Sequence, residues 1–428
     1  MTVITDLPDL RPSLLLDFAN AGRVDPRIRC VRASTATCYG RDGKLRTVAA
    51  NVPRIDYDPA TGKCMGLLVE EARTNLYTYS ADVTHAVWGK TNLTADGSKV
   101  LVGGVDFYKV SEVVTAQPEG KNVRRMFPSA YPAGTALSIK WYFIESTRRF
   151  CNVVILSASA TASIALDTKT GDFGIRQTGL PGWTWTVVKH LTGVIEVVAK
   201  NPSTHAEYPA GAYIDIRPTT LASLAETGSI GDTYTGDTSK YVYVGPIQFE
   251  LGPCATSYIS TGASAVTRAA DVLWLDLASS QLPVVDGVGT FVVAAQTFAP
   301  AVAGGTKNRT IFSLNSGAAN NNVSAIFAAA ADNLSSDIRL DGGFQHASSS
   351  PALPGVSYTR AIAYKDGSLR SATDGALTGT ENTGAVPRGL TKLELGCRVG
   401  INQLNGYISR LWCCPQRLSD ASLQGVSR

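Results

Sequence analysis

The chain has 428 residues, too many for one ordinary domain and suited to two or three. Its net charge is +4 with both signs nearly balanced, which leaves no basic field for nucleic acid. No apolar run approaches the roughly 18 residues of a membrane span; the longest near the middle is Ala325–Ala331, and Asp6 and Asp9 stand where a secretory signal would be basic. The expectation is a chain made in a cytoplasm, not secreted by the usual route and not inserted in a membrane.

Residues 1–75 are Arg-rich, broken by Pro and Gly, and carry short strand-like pieces. Nine of their eleven basic residues are Arg, among them Arg27, Arg29, Arg32, Arg54 and Arg73. The planar guanidinium fork suits partly dry interfaces because it bonds carboxylates in pairs. Asp17, Asp25, Asp56, Asp58, Glu70 and Glu71 are available as partners. The segment has too few apolar residues to hold a core, so it needs a partner surface. That surface is either a neighbouring subunit or the chain's own sandwich.

Residues 76–265 read as a β-sandwich. Turn signals fall at Asp96-Gly97, Thr170-Gly171 and Pro181-Gly182, between alternating runs such as Leu137–Phe143 and Val194–Val198. Trp183 and Trp185 share one face of a strand and stand either as core or as a platform for sugar rings. Residues 266–279 read as a linker and 280–428 as a second sandwich, punctuated by Asp286-Gly287, Asp341-Gly342, Asp366-Gly367, Asp374-Gly375 and Asn405-Gly406. Asn320, Asn321 and Asn322, with Asp332-Asn333, lie in polar loops that suit sugar contact or plain turns. No D-x-D-x-D-G loop is present, so no metal is assigned. Asn405-Gly406 predicts a hairpin leading into a last strand, with Tyr407, Ser409 and Leu411 on one face and Ile408, Arg410 and Trp412 on the other. Ser419 then caps a short terminal helix. The fold class is all-β: two antiparallel sandwiches after an extended N-terminal segment. No fixed-period repeat favours a solenoid.

Catalytic and cofactor signatures are missing. His85, His190, His205 and His346 are scattered outside any H-E-x-x-H pattern, and no phosphate loop, dinucleotide loop or nucleophile elbow occurs. Glu381 and Glu394 of the second sandwich lack the alternating carboxylates of a strand-borne glycosidase pair. Glu70 and Glu71 are adjacent, so on a strand they face opposite ways. The expectation is a non-enzyme without cofactor. Eight cysteines show no C-x-x-C spacing. They read as buried thiols or as intersubunit crosslinks, with Cys30, Cys38, Cys413 and Cys414 the candidates for bridging.

Several segments carry a resemblance. Pro12–Asn20 leads to Arg32-Ala33-Ser34-Thr35-Ala36-Thr37, then Ala50-Asn51-Val52-Pro53-Arg54-Ile55-Asp56-Tyr57-Asp58-Pro59 and Gly66-Leu67-Leu68-Val69-Glu70-Glu71-Ala72-Arg73-Thr74-Asn75-Leu76. Tyr241–Gly252 and Val266-Thr267-Arg268-Ala269-Ala270-Asp271 follow, and the chain closes on the strand and short helix around Arg417–Gln424. The succession resembles a family of tailed-bacteriophage virion proteins described as tail fibres, head fibres or spikes. That resemblance implies a carbohydrate-binding-module-like sandwich and a C-terminal concanavalin or laminin-G-like jelly roll. It further implies a homotrimer, attachment to other virion proteins through the N-terminal segment, and adhesion to host-surface polysaccharide. The rival readings are a capsid decoration or collar protein and, more weakly, a polysaccharide depolymerase tailspike.

Overall fold

The computed structural model describes residues 11–157, 160–201, 207–225, 231–279, 286–299, 308–328 and 331–428. Asp6, Asp9, His205 and part of the Ala325–Ala331 run lie outside the described residues. The architecture is all-β, with every strand pair antiparallel, in two sandwiches. Among the described residues no helix is long and apolar enough to cross a membrane.

The first sandwich packs two six-stranded sheets. One runs Thr184–Lys189, Ile195–Asn201, Leu137–Phe143, Tyr241–Leu251, Val105–Glu112, Leu93–Val102; the other runs Phe173–Thr178, Ala160–Asp167, Phe150–Ser157, Tyr213–Thr219, Asn122–Met126, Gly89–Thr91. Alternation puts Leu137, Ile139, Trp141 and Phe143 into the core between them. The opposite face of that strand, Ser138, Lys140 and Tyr142, is buried as well. Part of its cover is a second apolar cluster in which Tyr142 and Ile144 meet Leu45 of the N-terminal segment and Tyr258.

The second sandwich differs from the expected division of the chain. Its eight-stranded sheet runs Ala376–Asn382, Ser368–Thr373, Tyr358–Lys365, Val288–Thr297, Gly406–Cys414, Cys64–Val69, Arg54–Tyr57, with Leu14–Asp17 also on Gly406–Cys414. Its seven-stranded sheet begins Arg29–Val31, Val272–Asp276, Lys392–Leu395, Arg309–Asn315. The N-terminal segment and the expected linker are therefore strands of this sandwich. Leu14, Leu16, Phe18, Leu67, Val69, Leu273 and Leu275 enter one core with Phe291, Phe312 and Leu411. The partner surface that the segment needs is supplied by its own chain. Residues 76–265 are an insertion, closed at its neck by Arg73–Asn75 paired with Val266–Arg268.

Local sequence explains where two other expectations differ. Asn405-Gly406 makes no hairpin: Asn405 has φ 49° but Gly406 has no positive φ. Gly406 is required because a Cβ there would sit 2.0 Å from the Gln296 carbonyl oxygen. A β-bulge beyond Ala294 breaks the alternation of the last strand. It sends Ile408 and Leu411 alike into the main core, while Trp412 goes under the terminal helix Asp420–Val426. Ser419 caps that helix, its hydroxyl accepting from the Ser422 N–H. Asp96-Gly97 lies inside the strand Leu93–Val102, and the neighbouring hairpin turns on Gly103-Gly104, both at positive φ.

Candidate functional site

The residues quoted for the resemblance converge at the neck. Arg32 reaches Asp271 (Nη1 to Oδ1, 2.8 Å), and Arg54 bridges Asp271 (2.5 Å) and Glu70 (2.9 Å). Arg268 completes the group on Glu70 at 3.0 Å. All five side chains are at most 1 % exposed. Ser257 donates to Glu70 through both its N–H and its hydroxyl. Burial pushes Glu70 up, but Arg268 and Arg54 outweigh it and hold the carboxyl down at about 2. Removing one member of such a cluster leaves an uncompensated buried charge, at a cost of about 3–5 kcal/mol.

A cavity of about 530 Å³ opens on this cluster, walled by the N-terminal segment, the outer face of the first sandwich, residues 255–258 and the start of the last strand. Tyr39 ends the strand Ala36–Tyr39, and its hydroxyl donates to Glu196 Oε2 at 2.5 Å. Lys140 Nζ is 3.2 Å from Glu196 Oε1. Burial raises the Glu196 carboxyl, but Lys140, His190 and Tyr39 together hold it below the usual range. Asp56 accepts from the Tyr39 N–H and, at 2.6 Å, from the Tyr407 hydroxyl. Burial dominates there and pushes Asp56 up to about 6. Tyr39 itself is driven well above its ordinary value by burial and by Glu196. Asp58, Phe298 and Tyr258 add a further carboxylate and two aromatic walls. Such a mixture of carboxylates, hydroxyls and ring faces can accept from the hydroxyls of a sugar and pack against its C–H faces.

The expected sugar platforms lie elsewhere. Trp183 and Trp185 do share a face, but it is the inner one. Trp185 stacks on Trp141 with ring centroids 6.3 Å apart, and Trp183 Nε1 donates to Tyr208 Oη at 2.6 Å. Val188, from the opposite face of that strand, lines the cavity instead. Asn322 is buried and donates to the Ala319 carbonyl, while Asn321 accepts from the Asp341 N–H and so ties two turns together. The Asn320 carbonyl accepts from the Gly342 N–H. None of the three lines the cavity. Asn-rich sequence here encodes turn geometry.

Of the arginines expected at an interface, Arg32 and Arg54 are spent within the chain, and Arg73 binds Glu71 and the Leu251 carbonyl. Arg27 and Arg29 remain exposed, each beside an aspartate, Asp25 and Asp276. All eight cysteines are free thiols. Cys38, Cys413 and Cys414 are buried, and Cys30 is half-buried. Among the described residues no group of three His, Cys, Asp or Glu side chains is placed to hold a metal. Tyr39, Asp56, Lys140, Glu196 and Tyr407 were not marked as a site by the sequence. The available signal was Lys140, a lone cation inside the otherwise apolar and aromatic run Leu137–Phe143.

No family model matches the chain, and no curated protein matches it. Among solved structures it is similar to the IT-sialidase CBM40 of Ruminococcus gnavus bound to alpha2,3 sialyllactose, with 20 % identity and a TM-score of 0.30 over 36 % of this chain and 90 % of that one. It is also similar to domains LG4-5 of the mouse laminin alpha1 chain, with 12 % identity and a TM-score of 0.22 over 67 % of this chain and 84 % of that one. Similarity at this level assigns no function; the sandwich architecture rests on the strand pairing described above.

Proposed function

We propose that this chain is a non-enzymatic structural protein of a tailed-phage virion, projecting from the particle as a homotrimer and binding a host-surface glycan in the cavity beside the neck. The observation that carries the binding reading is the cavity of about 530 Å³ itself, where Tyr39, Tyr258 and Tyr407 stand among Asp56, Asp58 and Glu196, with Lys140 the one cation among the described lining residues. That balance suits a neutral saccharide, whose hydroxyls donate to carboxylates and whose rings need apolar faces. The virion reading is supported by the succession of N-terminal motifs, and exposed Arg27 and Arg29 are its contact residues toward other virion proteins. A weak site on each of three subunits gains by avidity without any new contact.

The test is saturable binding of purified, labelled protein to host cells, with and without competing surface polysaccharide. Glu196→Gln keeps the shape and removes the charge, and should weaken binding tenfold or more. Asp58→Asn serves as a second variant if Glu196→Gln proves unstable. Absence of binding by a well-folded oligomer overturns the adhesion reading in favour of a decoration or collar role. Release of reducing sugar ends overturns the non-enzymatic one.

A further inference from the structure

Glu70 lines the cavity just described; its neighbour Glu71 lines a second one, of about 990 Å³. This cavity lies between the neck, the end of the first sandwich at residues 251–253, and the second sandwich at Arg309 and residues 400–405. Its chemistry is different. Among the described residues no aromatic lines it, and the ionisable groups that do are Glu71, Arg73 and Arg309. Arg73 is committed to Glu71 and the Leu251 carbonyl. Arg309, by contrast, has no hydrogen bond or ion pair among the described residues, although burial pushes its pKa down. A guanidinium that is partly desolvated, and with which the nearby carboxylates of Glu71 and Asp332 make no direct ion pair, is a standing cost that an incoming anion would relieve.

The wall beside it is held under strain. Arg398 and Ile401 exchange backbone bonds (2.8 and 3.1 Å) across a turn in which Val399, a β-branched residue, is held at φ 52°. Residues of this kind avoid the left-handed region, and their occurrence there points to functional constraint. The Val399 N–H is locked onto buried Glu394. The turn lifts Ile401, 61 % exposed, onto the rim and places Asn402, whose carbonyl accepts from the Thr310 N–H at 2.9 Å.

We propose that this cavity binds a carboxylate-bearing saccharide, with Arg309 taking the carboxylate and the Asn402 amide meeting sugar hydroxyls, while Gln403 and Thr135, which donate to the Gly400 and Pro132 carbonyls, accept from them. One uncommitted guanidinium matches the single charge of a carboxylate. A phosphate, with a charge near −2, would face Glu71 one cation short. The volume exceeds that of a lone anion and accommodates more than one sugar ring. The inference is independent of the neutral-sugar reading of the first cavity.

Calorimetric titration of the full chain with glucuronosyl-xylobiose, a trisaccharide with one carboxylate, tests it, with neutral xylotriose and inorganic phosphate as comparison ligands. Saturable binding of glucuronosyl-xylobiose is expected, reduced tenfold or more by Arg309→Ala and partly restored by Arg309→Lys. Ile401→Asp, on the exposed rim, should weaken it about fivefold through repulsion and keeps the test open if Arg309→Ala misfolds. Absence of glucuronosyl-xylobiose binding, equal binding of xylotriose, displacement by equimolar phosphate, or an isotherm indifferent to Arg309→Ala each overturns the proposal. The first cavity is read with host polysaccharide and Glu196→Gln, so the two failures are distinguishable.

Discussion

Asp56 shows how burial converts an ordinary carboxylate into a pH-sensitive one. Its folded value of about 6 lies above the ordinary 3.8, so the folded state holds the proton more tightly than the unfolded chain. The stability from this group is therefore complete below about pH 4 and lost as the pH rises through about 6. The loss is on the order of 3 kcal/mol. Glu70 has the opposite sign, its contribution being present above 4.5 and lost on acidification toward 2. Asp56→Asn isolates the first effect, because every other group cancels in the comparison. Equilibrium denaturation of both proteins between pH 4 and 7 should show the wild type losing ground to the variant as the pH rises; parallel curves would mean that Asp56 ionises normally. Neither this role nor the cavity was legible from the sequence, where Asp56 reads as one of several salt-bridge partners. It turns out to be held by two tyrosines, Tyr39 and Tyr407, from opposite ends of the chain.

At the level of elements, the join between the N-terminal segment and the last strand depends on backbone approach more than on side chains. Gly66 sits at φ 112°, and a Cβ there would lie 2.3 Å from the Ile408 carbonyl oxygen. Gly66→Ala should cost about 2–4 kcal/mol, combining steric clash with backbone strain. Gly262→Ala, where a Cβ meets nothing within 4 Å, should be nearly neutral. Thermal melts of the two variants against wild type check both. The strands themselves were largely legible: density of turn signals and alternation predicted all-β structure, and Leu137–Phe143 and the Ser419 cap stand where the pattern puts them. What the pattern could not supply was partnership. Period-2 alternation says that Cys64–Val69 has a face to bury, but not that its neighbour is Gly406–Cys414, more than three hundred residues away. A bulge likewise leaves no signature that would warn of Ile408 and Leu411 pointing the same way.

At the scale of the whole molecule, the arrangement is one sandwich carrying another as an insertion. Residues 76–265 contain both of their sheets and a closed core from Tyr77 to Phe249. Expressed alone, they should melt cooperatively, with some loss of stability where Leu45 no longer covers the outer face. Residues 280–428 alone lack Leu14–Asp17, Arg29–Val31, Arg54–Tyr57, Cys64–Val69 and Val272–Asp276 and should not fold. Amide chemical-shift dispersion of the two fragments decides this; a well-dispersed spectrum from the second would show that the N-terminal strands are dispensable. The motif residues Arg32, Arg54, Glu70, Arg268 and Asp271 fit the same picture, since they lock the point at which the insertion leaves and rejoins its host.

That threading has a consequence on the ribosome. Cys64–Val69 emerges early, yet its partner Gly406–Cys414 is translated more than three hundred residues later. At 5–20 residues per second the interval is about half a minute. Throughout it, Cys64–Val69 has Arg54–Tyr57 on one side but an unpaired edge on the other, open to other nascent chains. The inserted sandwich, complete by then, is the surface on which the hairpin Ala36–Val48 can already rest, through Leu45 and the Gly103 carbonyl. The insertion thus doubles as a scaffold that shelters part of the waiting segment until the host sandwich can close.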